Sequence, residues 1–151
     1  MPNVTSSPPP SSASASPVSE TGAKLVHYLR AGYPGLYLLS HEEQRVEAEF
    51  KAIAAQLGYS LCFWSVADGL VNTTSNQAVD APDPLAALDA LAGLPEQSVV
   101  LLKDYHLFLQ DPNALLLRKL KDTLLIAKTQ QKHLVIPACR LCLPPELERE
   151  F

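Results

Sequence analysis

The chain has 151 residues, 47% of them apolar, which is enough for a single domain with a sizeable core. Twelve basic residues against 16 acidic residues give a net charge of −4, which argues against nucleic acid or an anionic membrane surface as a partner. No apolar run approaches the roughly 18 residues of a membrane span, and no signal or transit peptide is recognisable. Three cysteines without framework spacing are typical of a reducing compartment, so we expect a cytoplasmic domain.

The first part of the chain differs in composition from the rest. Residues 1–20 consist mostly of Ser, Pro and Ala and carry almost no charge. Such a segment cannot bury enough apolar surface to offset its chain entropy, which predicts a disordered tail over residues 1–20 and one folded domain over residues 21–151. The alternative interpretation, a proline-rich ligand for an SH3-like groove, depends on Pro8–Pro10 alone.

Helical and extended patterns alternate along the folded part. Apolar residues at helical spacing predict helices over Glu20–Ala31, between Ser40 and Gly58, from Pro82–Pro84 to about Ala92, and from Ala114 to about Gln131. Continuous apolar runs predict strands at Leu36–Leu39, Tyr59–Val66, Ser98–Asp104 and His133–Ala138. The alternation predicts a three-layer α/β domain with a mostly parallel, four-stranded sheet.

Three further expectations concern the connections and the edge of this sheet. Ser40 followed by Glu43 is the pattern of a capping box at the start of a helix. Asp68–Asp80 shows no periodicity and is rich in Asn, Thr and Gly, which predicts a loop. If the last strand forms an edge of the sheet, its unpaired backbone groups would favour self-association.

The strand Ser98–Asp104 is the centre of the predicted sheet, and it ends in a carboxylate. Functional residues of parallel sheets gather at the carboxyl ends of the strands, and in P-loop NTPases an aspartate at this position helps to hold Mg²⁺. However, the sequence contains no G-x-x-x-x-G-K-[ST] motif, and the first strand leads directly into Ser40–Arg45. Carboxylates at that helix start would repel a triphosphate. We therefore expect the sheet of a P-loop NTPase without its phosphate loop.

The remaining candidates for chemistry each have a plainer explanation. Asp104 can cap the following turn or pair with Lys103 or Arg140 rather than bind Mg²⁺. Cys139 and Cys142 form a C-x-x-C pair, but Cys62 has no partner nearby in sequence to complete a zinc site, and the pair does not open a helix as redox motifs do. Ordinary buried or half-buried thiols are expected. The four histidines show no ligand spacing and are expected to be ordinary polar residues.

Three segments together resemble one protein family. AGYPGLYLLSHEEQRVEAEF, SVVLLKDYHLFLQDPNALLLRKLKDTL and HLVIPACRLCLPPELEREF are similar to the N-terminal region of bacterial, cyanobacterial and plastid-encoded AAA ATPases of uncertain role. The resemblance runs from about Lys24 to Phe151. It implies a degenerate AAA-like α/β domain that lacks the phosphate loop and is followed, in full-length relatives, by a working ATPase module. The chain would then be a truncated or excised piece, cytoplasmic or in the plastid stroma.

The resemblance also suggests roles for single residues. Asp104 takes the Walker-B-like position, Ala138–Cys139 lie near the place of a polar sensor, and Arg149 lies in a stretch similar to the arginine-finger region. The lysine of the phosphate loop has no counterpart. ATP and Mg²⁺ are therefore implied as cofactors for full-length relatives, and no cofactor is expected for this chain alone.

Three hypotheses about function follow. The first is a noncatalytic regulatory or assembly domain that packs on an AAA ATPase module or on homologous subunits in an oligomer. The second is a part of an ATP-hydrolysing protein that contributes Asp104 or Arg149 to a shared site. The third is a thiol or zinc interaction module that uses Cys139 and Cys142.

Overall fold

The computed structural model describes residues 20–151, so all but the last residue of the expected tail lie outside the described residues. The helices are α1 (Glu20–Arg30), α2 (Glu43–Leu57), α3 (Pro84–Leu91) and α4 (Ala114–Gln130). The strands are β1 (Gly35–Leu39), β2 (Ser60–Ser65), β3 (Gly69–Asn72), β4 (Ala78–Val79), β5 (Ser98–Leu102) and β6 (Lys132–Ala138). Two 3₁₀ helices cover Tyr105–Leu109 and Pro145–Leu147. None of the helices described is long and apolar enough to cross a membrane.

The described strands form one sheet in the order β1-β6-β5-β2-β3-β4. The four strands β1, β6, β5 and β2 are parallel to their neighbours, and β3 and β4 extend the sheet beyond β2 in antiparallel pairing. Helices α1 and α2 pack on one face, and α3 and α4 pack on the other. The expected three-layer, mostly parallel α/β fold of the P-loop NTPase type is confirmed.

The strand count and the open edge were predicted wrongly. Two strands, β3 and β4, lie within Asp68–Asp80, where a loop was expected. These strands are four and two residues long, and they are held by pairing with β2 and with each other rather than by a local pattern of apolar residues. The last strand, β6, is not an edge, because it lies between β1 and β5.

Strand β5 holds the two halves of the core together. All five of its residues are buried. Val99 and Leu101 contact the cluster under α1 and α2, whereas Val100 and Leu102 contact the cluster under α3 and α4. This double burial is the reason why an unbroken apolar run, without polar alternation, forms a strand here.

The histidine at the start of β6 is part of the core. His133 is 1% exposed, and its ring stacks on Tyr59 with the ring centroids 5.8 Å apart. Its Nδ1 lies 2.6 Å from the carbonyl oxygen of Tyr33, so the neutral ring donates a proton from Nδ1. Within residues 20–151, Nε2 has no hydrogen-bond partner. Burial lowers the pKa of His133, and the hydrogen bond to Tyr33 opposes this only in part.

The lowered pKa of His133 predicts a loss of stability in mild acid. The unfolded chain takes up the proton near pH 6.5, before the folded state does, so the stabilisation is present above pH 6.5 and is lost as the pH falls below it. In His133→Phe, which keeps a ring beside Tyr59, we expect the free energy of unfolding to fall less steeply over this range, by up to about 1.4 kcal/mol per pH unit. Urea titrations from pH 7.5 to 5 measure this. A matching change in the exposed-histidine control, His41→Gln, would contradict the assignment.

Candidate functional site

The carboxyl ends of β1, β5 and β6 meet at one edge of the sheet, and a cleft of about 220 Å³ opens there. This is the edge at which parallel α/β sheets bind ligands. The polar residues that line the cleft are Ser40, His41, Glu43, Asp104, His106 and Cys139. The structure therefore brings together three segments that the sequence marked separately: the turn after β1, the residue after β5 and the end of β6.

The turn from β1 into α2 is not the expected capping box. The helix begins at Glu43 with Glu42 as its N-cap residue, and no side chain caps it. The hydroxyl of Ser40 instead accepts a hydrogen bond from the amide of Glu42, at 3.1 Å. The prediction was wrong because Ser40 lies two residues before the N-cap, so its hydroxyl satisfies an amide of the turn rather than one of the helix.

The same turn shows whether a nucleotide phosphate fits. A phosphate loop needs glycines and a lysine, so that backbone amides and a positive charge converge on the anion. This turn instead presents Glu42 and Glu43, and the nearby Arg45 is engaged by Glu42 at 3.0 Å. Carboxylates already interact favourably with the positive end of the helix dipole. The residues of this turn therefore do not fit the phosphates of ATP or a bound Mg²⁺.

Asp104 has an unusual backbone. Its φ of 58° and ψ of 15° place it in the left-handed region, which few residues with a side chain other than Asn and Asp adopt. Its carbonyl accepts a hydrogen bond from Leu107, but its side chain caps nothing. Lys103 pairs with Glu47 at 3.2 Å. The expected side-chain cap is therefore wrong, and among residues 20–151 Asp104 pairs with neither Lys103 nor Arg140.

His106 is the residue of this cleft that sequence reasoning missed. It is only 6% exposed, and its Nδ1 has no hydrogen-bond partner among the described residues. Most buried polar groups in proteins are hydrogen-bonded, so an unpartnered one calls for an explanation. In the sequence, the signal for His106 was its position two residues after Asp104. The histidines do not show the spacing of metal ligands, so nothing else in the sequence marked His106.

The C-x-x-C segment forms the third wall of the cleft. The carbonyl of Ala138 accepts a hydrogen bond from the Ser40 amide at 2.8 Å, which joins this wall to the β1 turn. Cys139 is exposed and Cys142 is partly buried, so the expectation of buried or half-buried thiols was wrong for Cys139. Over residues 20–151 no group of three or more His, Cys, Asp or Glu side chains is placed to hold a metal ion.

A tyrosine on the edge strand fixes the backbone of this segment. The hydroxyl of Tyr37 donates to the carbonyl of Arg140 at 2.6 Å and accepts from the amide of Cys142 at 2.9 Å. Burial raises the pKa of Tyr37. The hydroxyl therefore remains protonated at neutral pH and can both donate and accept.

Arg149 lies at the opposite edge of the sheet from Asp104. A β-carbon built on Gly35 would be 2.8 Å from the ring of Phe151 and 2.9 Å from the carbonyl oxygen of Glu150, so the last residues pack where β1 begins. Asp104 follows the carboxyl end of β5, which runs in the same direction. Arg149 and Asp104 therefore do not form one site within this chain.

Comparisons with known proteins agree with this architecture. Residues 21–151 match the family model of the SpoVK-like AAA ATPase N-terminal domain. The uncharacterized AAA domain-containing protein ycf46 of Trieres chinensis is 35% identical over 128 residues, which cover 83% of this chain and 25% of that protein. The proteins of the same name from Guillardia theta and Pyropia yezoensis are 34% and 32% identical, and they cover 79% and 77% of this chain.

The chain spans about a quarter of the length of these relatives. The matched region contains all four parallel strands and the whole carboxyl-edge cleft. On this match, the chain belongs to the family of N-terminal domains of SpoVK-like AAA ATPases.

Proposed function

We propose that this chain is a noncatalytic regulatory or assembly domain, which packs against the ATPase module of an AAA protein or against neighbouring subunits of an oligomer. The observation that carries the proposal is the turn after β1. Glu42 and Glu43 take the place of the phosphate loop at an otherwise well-formed carboxyl edge. These carboxylates support the proposal, because a phosphate group at this edge would meet negative charge in place of amides and a cation.

Exposed apolar side chains on α4 support a packing role. Leu115, Leu125 and Ile126 are each more than half exposed, although Leu120 and Leu124 of the same helix are fully buried. Large apolar side chains grouped on a surface commonly mark protein interfaces. Leu125 and Ile126 are consecutive in α4, so we propose that this end of the helix contacts a neighbouring protein.

Calorimetric titration with ATP and Mg²⁺ tests the noncatalytic part of the proposal. We expect no binding tighter than about 1 mM to the isolated chain, because the β1 turn supplies carboxylates where phosphate needs amides and a cation. Micromolar binding would overturn this part. The full-length ycf46 protein of Trieres chinensis, titrated in parallel, shows whether the rest of such a protein binds the nucleotide.

The assembly part is tested on the same relative. Removal of the segment that matches this chain is expected to change the ATPase rate or the oligomeric state, measured by phosphate release and by sedimentation velocity. If both remain unchanged in a deletion protein that is folded, the segment is neither regulatory nor needed for assembly. A cytoplasmic or stromal location remains a prediction.

One observation favours the second hypothesis, that Asp104 or Arg149 completes a site shared with another subunit. Both residues are exposed, and Asp104 lies at the cleft with a left-handed backbone. An arginine finger contributes roughly 10³–10⁵-fold to the rate of phosphoryl transfer. Alanine at the position corresponding to Arg149 in a full-length relative should then reduce the ATPase rate by orders of magnitude, whereas an unchanged rate would eliminate this version.

A further inference from the structure

We propose that the outer edge of β1 accepts one further, parallel strand, supplied by the polypeptide that follows the position of Phe151 in the longer members of this family. The inference rests on the packing part of the proposed function, and it names the contact that joins this domain to the rest of the protein. Three observations carry it: outward-pointing backbone groups along β1, an apolar groove beside them, and the place where the last residues lie.

The backbone of β1 is hydrogen-bonded on one side. Among the described strands, β1 is the last on its side of the sheet, and its neighbour is β6. The amide of Ser40 donates to the carbonyl of Ala138 at 2.8 Å. Backbone groups of successive residues in a strand point alternately to its two sides, so the even-numbered residues bond to β6. The amides and carbonyls of Tyr37 and Leu39 therefore point outward, where the described sheet offers them no strand.

This edge has none of the usual protection against pairing. Native proteins commonly protect an exposed edge with charged side chains, with proline or with a very short strand. The opposite edge of the sheet follows this rule, since β4 has two residues. In contrast, β1 has five residues, GLYLL, without a charge or a proline, and Leu39 is 58% exposed. An apolar edge of this kind indicates that another segment covers it.

A groove of about 230 Å³ lies beside the second half of β1. Its apolar lining includes Leu25 of α1, Leu38 of β1 and Val46 of α2, so the groove opens on the face of the sheet that α1 and α2 cover. A strand that pairs with Tyr37 and Leu39 places every second side chain on this face. The volume is several times the roughly 30 Å³ of a water molecule, so the groove has room for an apolar side chain of the added strand.

The position of the last residues sets the direction of the added strand. The ring of Phe151 lies 2.8 Å from a β-carbon built on Gly35, so residue 151 is beside the first residue of β1. Parallel strands need a long crossover connection, and residues 139–151 already return from the carboxyl end of β6 to the amino end of β1. A segment that continues from Phe151 along the edge therefore runs parallel to β1.

The same polypeptide is a better source of this strand than a second copy of the chain. The matched relatives are about four times as long as this chain, and the match is to an N-terminal domain, so polypeptide follows the matched region in them. Gly35 is buried, which leaves only the second half of β1 open to pairing. So short a contact suits a covalently linked segment, because the link gives it a high effective concentration.

Hydrogen exchange of single amides, followed by NMR on the full chain, tests the open edge. We expect fast exchange at Tyr37 and Leu39 and slow exchange at Leu38 and Ser40. The probe is a synthetic peptide with the ten residues that follow the position of Phe151 in the ycf46 protein of Trieres chinensis. At a peptide concentration ten times its dissociation constant, exchange at Tyr37 and Leu39 should slow about tenfold. A peptide of the same composition in scrambled order should have no effect.

Two substitutions at one position separate backbone pairing from side-chain contact. Leu39→Pro removes an outward amide, and proline is tolerated at such a position of an edge strand. Leu39→Ala keeps the amide and removes the same exposed side chain. We expect the peptide to slow exchange at Tyr37 in the alanine variant but not in the proline variant. Amide spectra establish that both variants are folded.

The longer protein provides a readout that does not depend on the affinity of a free peptide. In the full-length Trieres chinensis protein, the amides that correspond to Tyr37 and Leu39 should exchange at least tenfold more slowly than in this chain, measured by mass spectrometry of the peptide that contains β1. Protection there supports the proposal even when the free peptide does not bind.

Several outcomes would overturn the proposal. Slow exchange at Tyr37 and Leu39 in the monomeric chain alone would show that the edge is already covered, and protection that rises with protein concentration would assign the edge to a second copy. Equal peptide effects in the two Leu39 variants, or no protection by the peptide and none in the full-length protein, would also exclude it. An unprotected β1 leaves the ATP titration and the deletion experiment standing, and an ineffective deletion leaves the strand pairing standing.

Discussion

Replacing Trp64 by alanine is expected to lower the free energy of unfolding by about 3–5 kcal/mol, the range for removal of a large buried aromatic side chain. Trp64 is fully buried in β2, and its indole meets the rings of Tyr105 and Phe108 edge-on, with centroids 5.6 and 6.3 Å away. Its Nε1 also donates to the carbonyl of Ala81 at 3.0 Å. The substitution leaves a cavity at the contact between the sheet and the 3₁₀ helix that follows Asp104.

Trp64→Phe separates packing from hydrogen bonding. Phenylalanine keeps most of the ring contacts but leaves the Ala81 carbonyl without its donor, which costs about 1–3 kcal/mol. Because the chain has a single tryptophan, unfolding of both variants is followed by far-ultraviolet circular dichroism in urea rather than by fluorescence. An alanine variant within 1 kcal/mol of the parent protein would contradict the burial of this side chain.

The parallel part of the fold was predictable because its strands are covered on both faces. Burial of Val99–Leu102 from both sides requires apolar side chains at successive positions, and this leaves an unbroken run in the sequence. The helices between the strands have apolar stripes because each helix packs one face against the sheet. The local sequence pattern was therefore sufficient to predict these helices and parallel strands, even though the strands with which each one pairs were not known.

The antiparallel extension was not predictable in the same way. Val71 in β3 pairs with Ala78 in β4, and β3 also pairs with β2, which is a tertiary arrangement with no local sequence pattern. The turn between them is built by Asn72, whose side-chain oxygen accepts from the amides of Thr74 and Ser75. Asn and Thr at such positions indicate a turn, but they do not show that strands flank it.

The candidate site was predictable in position but not in chemistry. Asp104 was expected at the carboxyl edge, and it lies there. Its left-handed backbone and the missing partner of His106 depend on how β5, β6 and α2 pack, so neither was visible in the sequence. Expected pairing with Lys103 failed because Glu47, four residues into α2, is the residue that reaches this lysine.

Gly69→Ala is the second substitution with a large expected effect, about 2–4 kcal/mol of unfolding free energy. Gly69 begins β3 with a φ of +73°, where a side chain costs roughly 1–2 kcal/mol. In addition, a β-carbon here would collide with the carbonyl oxygen of Val79 in β4, so the short strand must move away. Movement of β4 would also displace Ala81, which follows this strand in the sequence. The carbonyl of Ala81 accepts the hydrogen bond from Nε1 of Trp64.

Gly58→Ala is a matched control for this collision. Gly58 ends α2 with a nearly identical φ of +72°, but a β-carbon there meets nothing within 4 Å. Alanine at Gly58 therefore carries the cost of the backbone conformation alone, roughly 1–2 kcal/mol. Urea unfolding of both variants isolates the difference, which we attribute to the close approach of β3 and β4. Equal losses of stability would show that β4 does not pack on Gly69, and β3 rather than β4 would then be the last firmly held strand on that side of the sheet.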